Sequence, residues 1–254
     1  MRTEMERRLS PVERPAAGVL HPVRVCQVFR LGRVPYRDAW ALQQRWAELR
    51  RAGEIPDRLL FLEHPPVITL GRNALREHLL SSSELLAAEG IEVVETNRGG
   101  DVTFHGPGQL IGYPILDLGR IRKDVVWYVR TLEEAILRTL AELGLAAGRR
   151  SGMTGVWVGE RKVAAIGVHI SRWITSHGFA LNVDTDLGYF RHIVPCGIAS
   201  YPVTSLLELL GARVERAWLE DRLASHLGAL LGLEMVWNPL DNGEGRESCQ
   251  PPMC

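Results

Sequence analysis

The stretch Arg98-Gly99-Gly100-Asp101-Val102-Thr103-Phe104-His105-Gly106-Pro107-Gly108-Gln109 constrains the fold more tightly than any other part of the chain. A Gly-Gly step lets backbone approach a ligand or another strand closely and adopt conformations closed to residues with a Cβ. Val102–His105 has strand composition, Gly106-Pro107-Gly108 predicts a tight corner, and the apolar run Leu110–Leu118 predicts a second strand. On its own this is a glycine-rich hairpin. The Arg, Asp, His and Gln gathered within it favour a site.

Around this core the pattern is mixed. Val23–Arg30 alternates as a strand, and Tyr36–Arg51 has helical spacing with Gly53 as its stop. Arg58–Glu63 and Val67–Leu70 are short strands split by His64-Pro65-Pro66. Ser81 with Glu84 reads as a capping box for a short helix ending at Gly90, and Ile91–Glu95 as a strand. Asp124 caps a helix reaching Leu143, with Val125, Tyr128, Leu132, Ile136 and Leu140 on one face. Val156–Val158, Lys162–His169 and Gly178–Val183 read as strands, the first two joined by a turn at Gly159–Arg161. Helices at Val203–Leu210 and Arg216–Leu231, then Leu233–Trp237, close the pattern. Clustered strands without strict βαβ alternation predict an α+β fold, a mixed, mainly antiparallel sheet with packed helices. Residues 23–238 form one expected domain. Residues 1–22 and 239–254 lack periodicity and are expected to be disordered.

Lys plus Arg and Asp plus Glu both number 30, so no net field favours nucleic acid or an anionic membrane. Arg149, Arg150, Arg161, Lys162 and Arg172 could still form a local basic patch. No apolar run approaches the ~20 residues of a membrane span, and the N-terminus has no signal-type apolar core. The expected location is the cytoplasm. Cys26, Cys196, Cys249 and Cys254 are scattered without C-x-x-C or zinc spacing, so neither disulfides nor a metal is expected. Cys26, in an alternating apolar run, reads as a buried small hydrophobe.

Cys196 stands apart. Pro195 fixes the backbone before it and Gly197 leaves space after it, the setting of either a reactive thiol or a buried spectator. A nucleophilic thiol needs a nearby cation or base. His64, His105, His169, His177, His192 and Lys162 are candidates, although Lys162 on its own context reads as a solvated hairpin lysine before it reads as a catalyst.

Four blocks then appear in order: Arg98–Gln109, Lys162-Val163-Ala164-Ala165-Ile166-Gly167, Ser176-His177-Gly178-Phe179-Ala180-Leu181-Asn182-Val183, and Pro195-Cys196-Gly197-Ile198 with Val203-Thr204-Ser205-Leu206 after it. Together they resemble the lipoyl(octanoyl) transferase family over roughly residues 24–232. The resemblance implies the fold of biotin and lipoate protein ligases. It also implies transfer of an octanoyl group from an acyl carrier protein thioester to a lysine of lipoyl domains, the first step of endogenous protein lipoylation. Acceptors would be lipoyl domains of 2-oxoacid dehydrogenase complexes or the glycine cleavage H protein. No cofactor is expected.

By the same resemblance, Cys196 matches the acyl-accepting nucleophile and Lys162 its partner. Arg98, Gly99, Gly100, Asp101, Val102, Thr103, Phe104 and His105, then Ala165, Ile166 and Gly167, then Gly178, Phe179 and Ala180, match the substrate-contacting segments. Ala164, Ala165 and Gly167 would wall a narrow slot for the acyl chain. Two other readings stay open: an ATP-dependent lipoate or biotin-type ligase, and an acyl-binding protein without catalysis.

Overall fold

The computed structural model describes residues 24–194 and 202–238. Its strands are β1 (Val25–Arg33), β2 (Asp57–Glu63), β3 (Val67–Leu70), β4 (Glu92–Glu95), β5 (Val102–His105), β6 (Gln109–Ile115), β7 (Ala147–Arg150), β8 (Met153–Val158), β9 (Arg161–Ser171), β10 (Ile174–Asn182) and β11 (Glu234–Trp237). Its helices are α1 (Tyr36–Ala52), α2 (Ser83–Ala88), α3 (Val125–Glu142), α4 (Leu206–Leu210) and α5 (Arg216–Leu231). Short 3₁₀ turns span Arg76–His78 and Leu187–His192.

An eight-stranded sheet runs β11-β1-β2-β6-β10-β9-β8-β7, and a second sheet runs β4-β3-β5. Pairing is antiparallel except for β1 with β2, β1 with β11, and β3 with β4. The α+β expectation holds. One face of the large sheet buries Leu59, Phe61, Leu110, Phe179 and Leu181 against α3 and α5. The other face packs Leu60, Leu62, Ile111 and Ala180 under α1.

The helix signals are read locally and survive. Asp124 accepts the Trp127 N–H and starts α3, and Gly53, at φ 78°, closes α1. The second capping signal shifts by one: Ser82, not Ser81, accepts from Leu85 and caps α2. Ser81 instead bonds the His192 ring. Val125 is exposed although it shares the apolar stripe of α3, because it lies in the first turn, beyond the sheet's reach. Residues 203–205 precede α4 as an extended segment, with Val203 bridged in parallel to Lys162. Three arginines of the suspected basic patch are in ion pairs instead: Arg149 with Glu133 and Glu134, Arg150 with Glu160, Arg161 with Glu208.

The Gly-Pro-Gly corner is not a hairpin. β5 belongs to the small sheet and β6 to the large one, so the chain changes sheets at Gly106–Gly108. It makes the same change between β2 and β3, where Pro65 and Pro66 supply no N–H to continue a ladder. The two crossings are fastened together, since the Gly108 N–H donates to Glu63 Oε2 at 2.8 Å. Arg216 and Arg33 hold that carboxylate from the other side.

At the far end of the sheet, Arg50 Nε donates to Asp57 Oδ1 at 2.7 Å, both side chains being buried. The same oxygen accepts the Asp117 N–H at 2.9 Å. Removing one partner leaves a buried charge uncompensated. Asp57→Ala should therefore cost about 3–5 kcal/mol in urea unfolding. A loss below about 1 kcal/mol would show that water reaches the pair.

Candidate active site

A cavity of about 270 Å³ opens where the two sheets part. β9 supplies Lys162, Ala165, Ile166 and Gly167, and β10 supplies His177 to Ala180. Thr103 and His105 of β5, Tyr113 of β6 and Tyr36 of α1 enclose it, and Gly152 to Thr154 stand at its rim. From Lys162 to Gly167 the strand rises roughly 16 Å, which makes the cavity a slot rather than a bowl.

The Arg98–Asp101 loop forms one wall and is held almost wholly by backbone. Arg72 and Asn73 donate N–H bonds to the carbonyls of Arg98 and Gly100, and Gly71 donates to that of Asp101. The Gly99 N–H reaches across to the Val168 carbonyl at 2.9 Å. This close approach requires glycine on both sides. A Cβ on Gly167 would stand 2.9 Å from the Gly99 carbonyl oxygen, and one on Gly71 would stand 2.3 Å from that of Gly100. Gly167 is thus small to admit the loop. Gly178 is small for β6, since its Cβ would meet the Gly112 carbonyl at 2.1 Å. Ala164 faces the large core. The side chains that keep the slot narrow and open are Ala165 and Ala180.

Arg98 is buried, its Nε and one terminal nitrogen donating to Thr69 Oγ1 at 3.1 and 2.9 Å and the latter also to the Thr69 carbonyl at 2.6 Å. Its charge bears on a ring cluster at the closed end of the slot. His105 Nδ1 lies 2.7 Å from Gln109 Oε1, while Gln109 Nε2 donates to Asn182 Oδ1 and Asn182 Nδ2 to the Thr204 carbonyl. With the Gln109 amide so oriented, Nδ1 of His105 carries the proton. His64 bridges the Val34 carbonyl at 2.7 Å and the Tyr113 hydroxyl at 2.9 Å.

Strand alternation would turn His177 toward α3, with Thr175 and Phe179. Its φ of 55° turns it instead toward α1, where its N–H donates to Gln43 Oε1 and its Nε2 meets Asn97 Oδ1 at 2.7 Å. Histidine tolerates the left-handed region better than most residues with a Cβ.

Burial holds these imidazoles neutral. Desolvation lowers His64 to about 4, and desolvation followed by the Arg98 charge lowers His177 to about 3. His105 is lowered well below its ordinary value by burial first, then by His64 and Arg98.

Lys162 sits at the opposite end. Its N–H donates to the Pro202 carbonyl and its own carbonyl accepts from Thr204, both at 2.9 Å. Its ammonium lies 5.3 Å from the Trp157 ring centroid, and its stem lies against the Gly155 α-carbon. Lys162 is buried, which removes the solvated-hairpin reading.

Most of the expected site residues converge on this cavity: Arg98, Gly100, Asp101, Val102, Thr103, His105, Lys162, Ala165, Ile166, Gly167, Gly178, Phe179 and Ala180 all line it. Gly99 acts behind the wall through Val168, and Phe104 packs away from it against Tyr189 and Phe190. Cys196, Cys249 and Cys254 lie outside the described residues. Cys26 is buried, and burial raises its thiol pKa far above the ordinary value. His192 bonds Ser81 and Glu89 beneath α2, away from the slot. Tyr36, Tyr113 and the Gly152–Thr154 rim were not anticipated. Tyr36 reads in sequence as an ordinary helix-start aromatic, and Tyr113 as part of an apolar strand.

The family model of the lipoyl protein ligase A/B catalytic domain matches residues 35–228. An octanoyltransferase of Solibacter usitatus is 54% identical over 214 residues, covering 84% of this chain and 96% of that protein. One of Koribacter versatilis is 49% identical over 216 residues, covering 83% and 86%. Among solved structures, the bi-partite lipoate protein ligase of Thermoplasma acidophilum with its E2 lipoyl domain superposes with a TM-score of 0.67 at 18% identity, covering 90% of this chain and 92% of that one. A lipoate-protein ligase A bound with ATP superposes with a TM-score of 0.67 at 17% identity, covering 89% and 94%. The expected lipoate-ligase fold is thereby matched.

The neutral histidines set a pH dependence of stability. Their folded pKa values lie below the unfolded value of 6.5, so the unfolded chain binds more protons between the two. Stability should be full above pH 6.5 and fall by up to about 1.4 kcal/mol per pH unit for each such ring below it. Urea unfolding at pH 7 and 5.5 should show this slope, reduced in His64→Gln. An unchanged slope in that variant would mean that His64 titrates normally in the folded protein.

Proposed function

The chain belongs to the lipoyl protein ligase A/B catalytic domain family and carries out octanoyl transfer in protein lipoylation, and we propose that it does so in two covalent steps through Cys196. The observation that carries the reading is the slot itself. It is narrow, walled by Ala165, Ala180 and glycine-permitted backbone, and has Lys162 buried at one end. Cys196 enters on sequence grounds. In support, its segment leaves from Val194, whose N–H donates to His78 O, and rejoins at Pro202, whose carbonyl accepts from Lys162.

In the first step the Cys196 thiolate attacks the thioester carbonyl of an octanoyl acyl carrier protein. A new thioester forms on Cys196 and the carrier leaves as a thiol, taking up the proton the cysteine gave up. Lys162 as an ammonium favours that thiolate by charge. In the second step a neutral lysine amine of a lipoyl domain attacks, an amide forms, and Cys196 leaves as the thiolate. The extra amine proton passes to Lys162, by then neutral. The two groups titrate as a pair. An amide is far less reactive than a thioester, so no ATP is needed. Acceptors are lipoyl domains of 2-oxoacid dehydrogenase complexes or the glycine cleavage H protein.

The substrate wall is assigned to the Arg98–His105 segment without Phe104, with Gly99 supporting it from behind, and to Ala165–Gly167 and Gly178–Ala180. The catalytic unit is residues 23–238, working in the cytoplasm. No helix among the described residues is long and apolar enough to cross a membrane.

Incubation with octanoyl acyl carrier protein alone should add one octanoyl mass to Cys196. Cys196→Ser should lose nearly all transfer, because an alcohol is a poor nucleophile at neutral pH. Lys162→Ala should slow iodoacetamide alkylation of Cys196 at pH 7. Lys162→Arg should keep the alkylation rate yet fail in amide formation, since guanidinium cannot act as a base. Strict ATP dependence would favour a ligase, and octanoyl binding without an adduct would favour a simple acyl-binding protein.

Chain-length selectivity offers a separate check. Ala180→Val adds two methyl groups inside the slot and should shift preference to shorter acyl donors. Gly167→Val should instead displace the Arg98–Asp101 loop and lower turnover for every chain length. An unchanged acyl profile in Ala180→Val would place the chain elsewhere.

A further inference from the structure

We propose that Glu133, a residue of α3 outside the cavity, is a positioning residue for Lys162. Its side chain is fully buried, the one charged group among the buried residues of that helix. One carboxylate oxygen, Oε1, accepts the Gly155 N–H at 3.0 Å. The other, Oε2, accepts from Arg130 at 2.7 Å and from Arg149 Nε at 2.9 Å. Arg149 is anchored in turn to Glu134 and to the Arg130 carbonyl. The carboxylate is therefore held rigidly and hands that rigidity to one backbone N–H.

That N–H belongs to the residue on which Lys162 lies. Gly155 has φ 129°, a conformation that favours glycine, and a Cβ there would stand 2.5 Å from Lys162 Cε and 2.6 Å from the Ala164 carbonyl. Immediately after Gly155 the β8–β9 register shifts, between Val156 and Trp157, and Trp157 then pairs with Lys162. Glu133 thus pins an irregular strand just ahead of its register shift, where its shape forms the bed of the lysine stem. The backbone of Lys162 is fixed separately, by Pro202 and Thr204. Without Glu133, the main chain of Lys162 stays in place while the bed under its stem is no longer fixed. The inference rests on the assignment of Lys162 to catalysis.

The test is a double-mutant cycle on octanoyl transfer with Glu133→Gln and Lys162→Ala, singly and together. Displacing a catalytic group by about 1 Å can cost up to about 100-fold in rate, so Glu133→Gln should lower kcat about tenfold or more. KM for the octanoyl donor should stay within about twofold, because no wall residue of the slot has changed. In the Lys162→Ala background the same substitution should have no further effect on kcat, which a general loosening of the fold would not reproduce. Should Glu133→Gln not fold, Arg149→Met, removing one holder of the same carboxylate, takes its place in the cycle. Wild-type kcat in Glu133→Gln beside a slow Lys162→Ala, or additive losses in the double variant, would overturn the inference alone. A fully active Lys162→Ala would overturn the role of the lysine and the inference together.

Discussion

The approach of Gly99 to β9 is the contact on which the site depends. A loop belonging to the small sheet donates its N–H to Val168 of the large sheet, and Gly167 leaves the space for it. Sheets packed face to face stand about 10 Å apart, filled by side chains. Here a direct backbone contact brings the sheets far closer along one line and leaves them apart beside it. The slot is what remains beside that line. Its shape is therefore set by main chain, which varies less than side-chain rotamers do.

Charge is arranged around the slot with the same economy. Ion pairs fasten the crossings and the α3 clamp outside the chamber, through Glu63 and Glu133. Inside, Arg98 lies at the ring-lined end and Lys162 at the other. The rings between Arg98 and α1 are neutral because burial makes a second positive charge costly there. Directed hydrogen bonds between His64 and Tyr113, between His105 and Gln109 and between His177 and Asn97 fix tautomers as well as positions.

Much of this was legible in the sequence, and the failures have physical causes. Periodic and capping signals are local, so α1, α3 and α5 came out within a residue or two, and Ser81 lost its cap to its neighbour Ser82. Within the lining, the Gly-Gly and His-Gly steps stood out because unusual backbone demands unusual residues, and the rest of the lining followed from the family resemblance. Sheet membership was not, since strand composition at Val102–His105 says nothing of which partner strand it finds. β7 carries Gly148, Arg149 and Arg150, whose polarity hid it among loops. Gly167 lines the slot as expected, but a missing side chain does not announce that it also makes room for the Gly99 loop. Glu133 left no signal at all. A glutamate beside a leucine in a helix reads as surface until the strand opposite is known.

The ring cluster has one further chemical meaning. Imidazoles whose conjugate acids titrate near 3 to 4 are feeble proton acceptors, far from the near-neutral value that suits a general base. A water molecule that enters behind the acyl chain finds hydrogen-bond partners there but no group strong enough to make it hydroxide. An amine needs much less help, being a nucleophile as soon as it is uncharged. The ring-lined end of the chamber therefore adds hydrogen bonds without adding a base, and in the covalent route proposed above proton transfer rests on Lys162 alone.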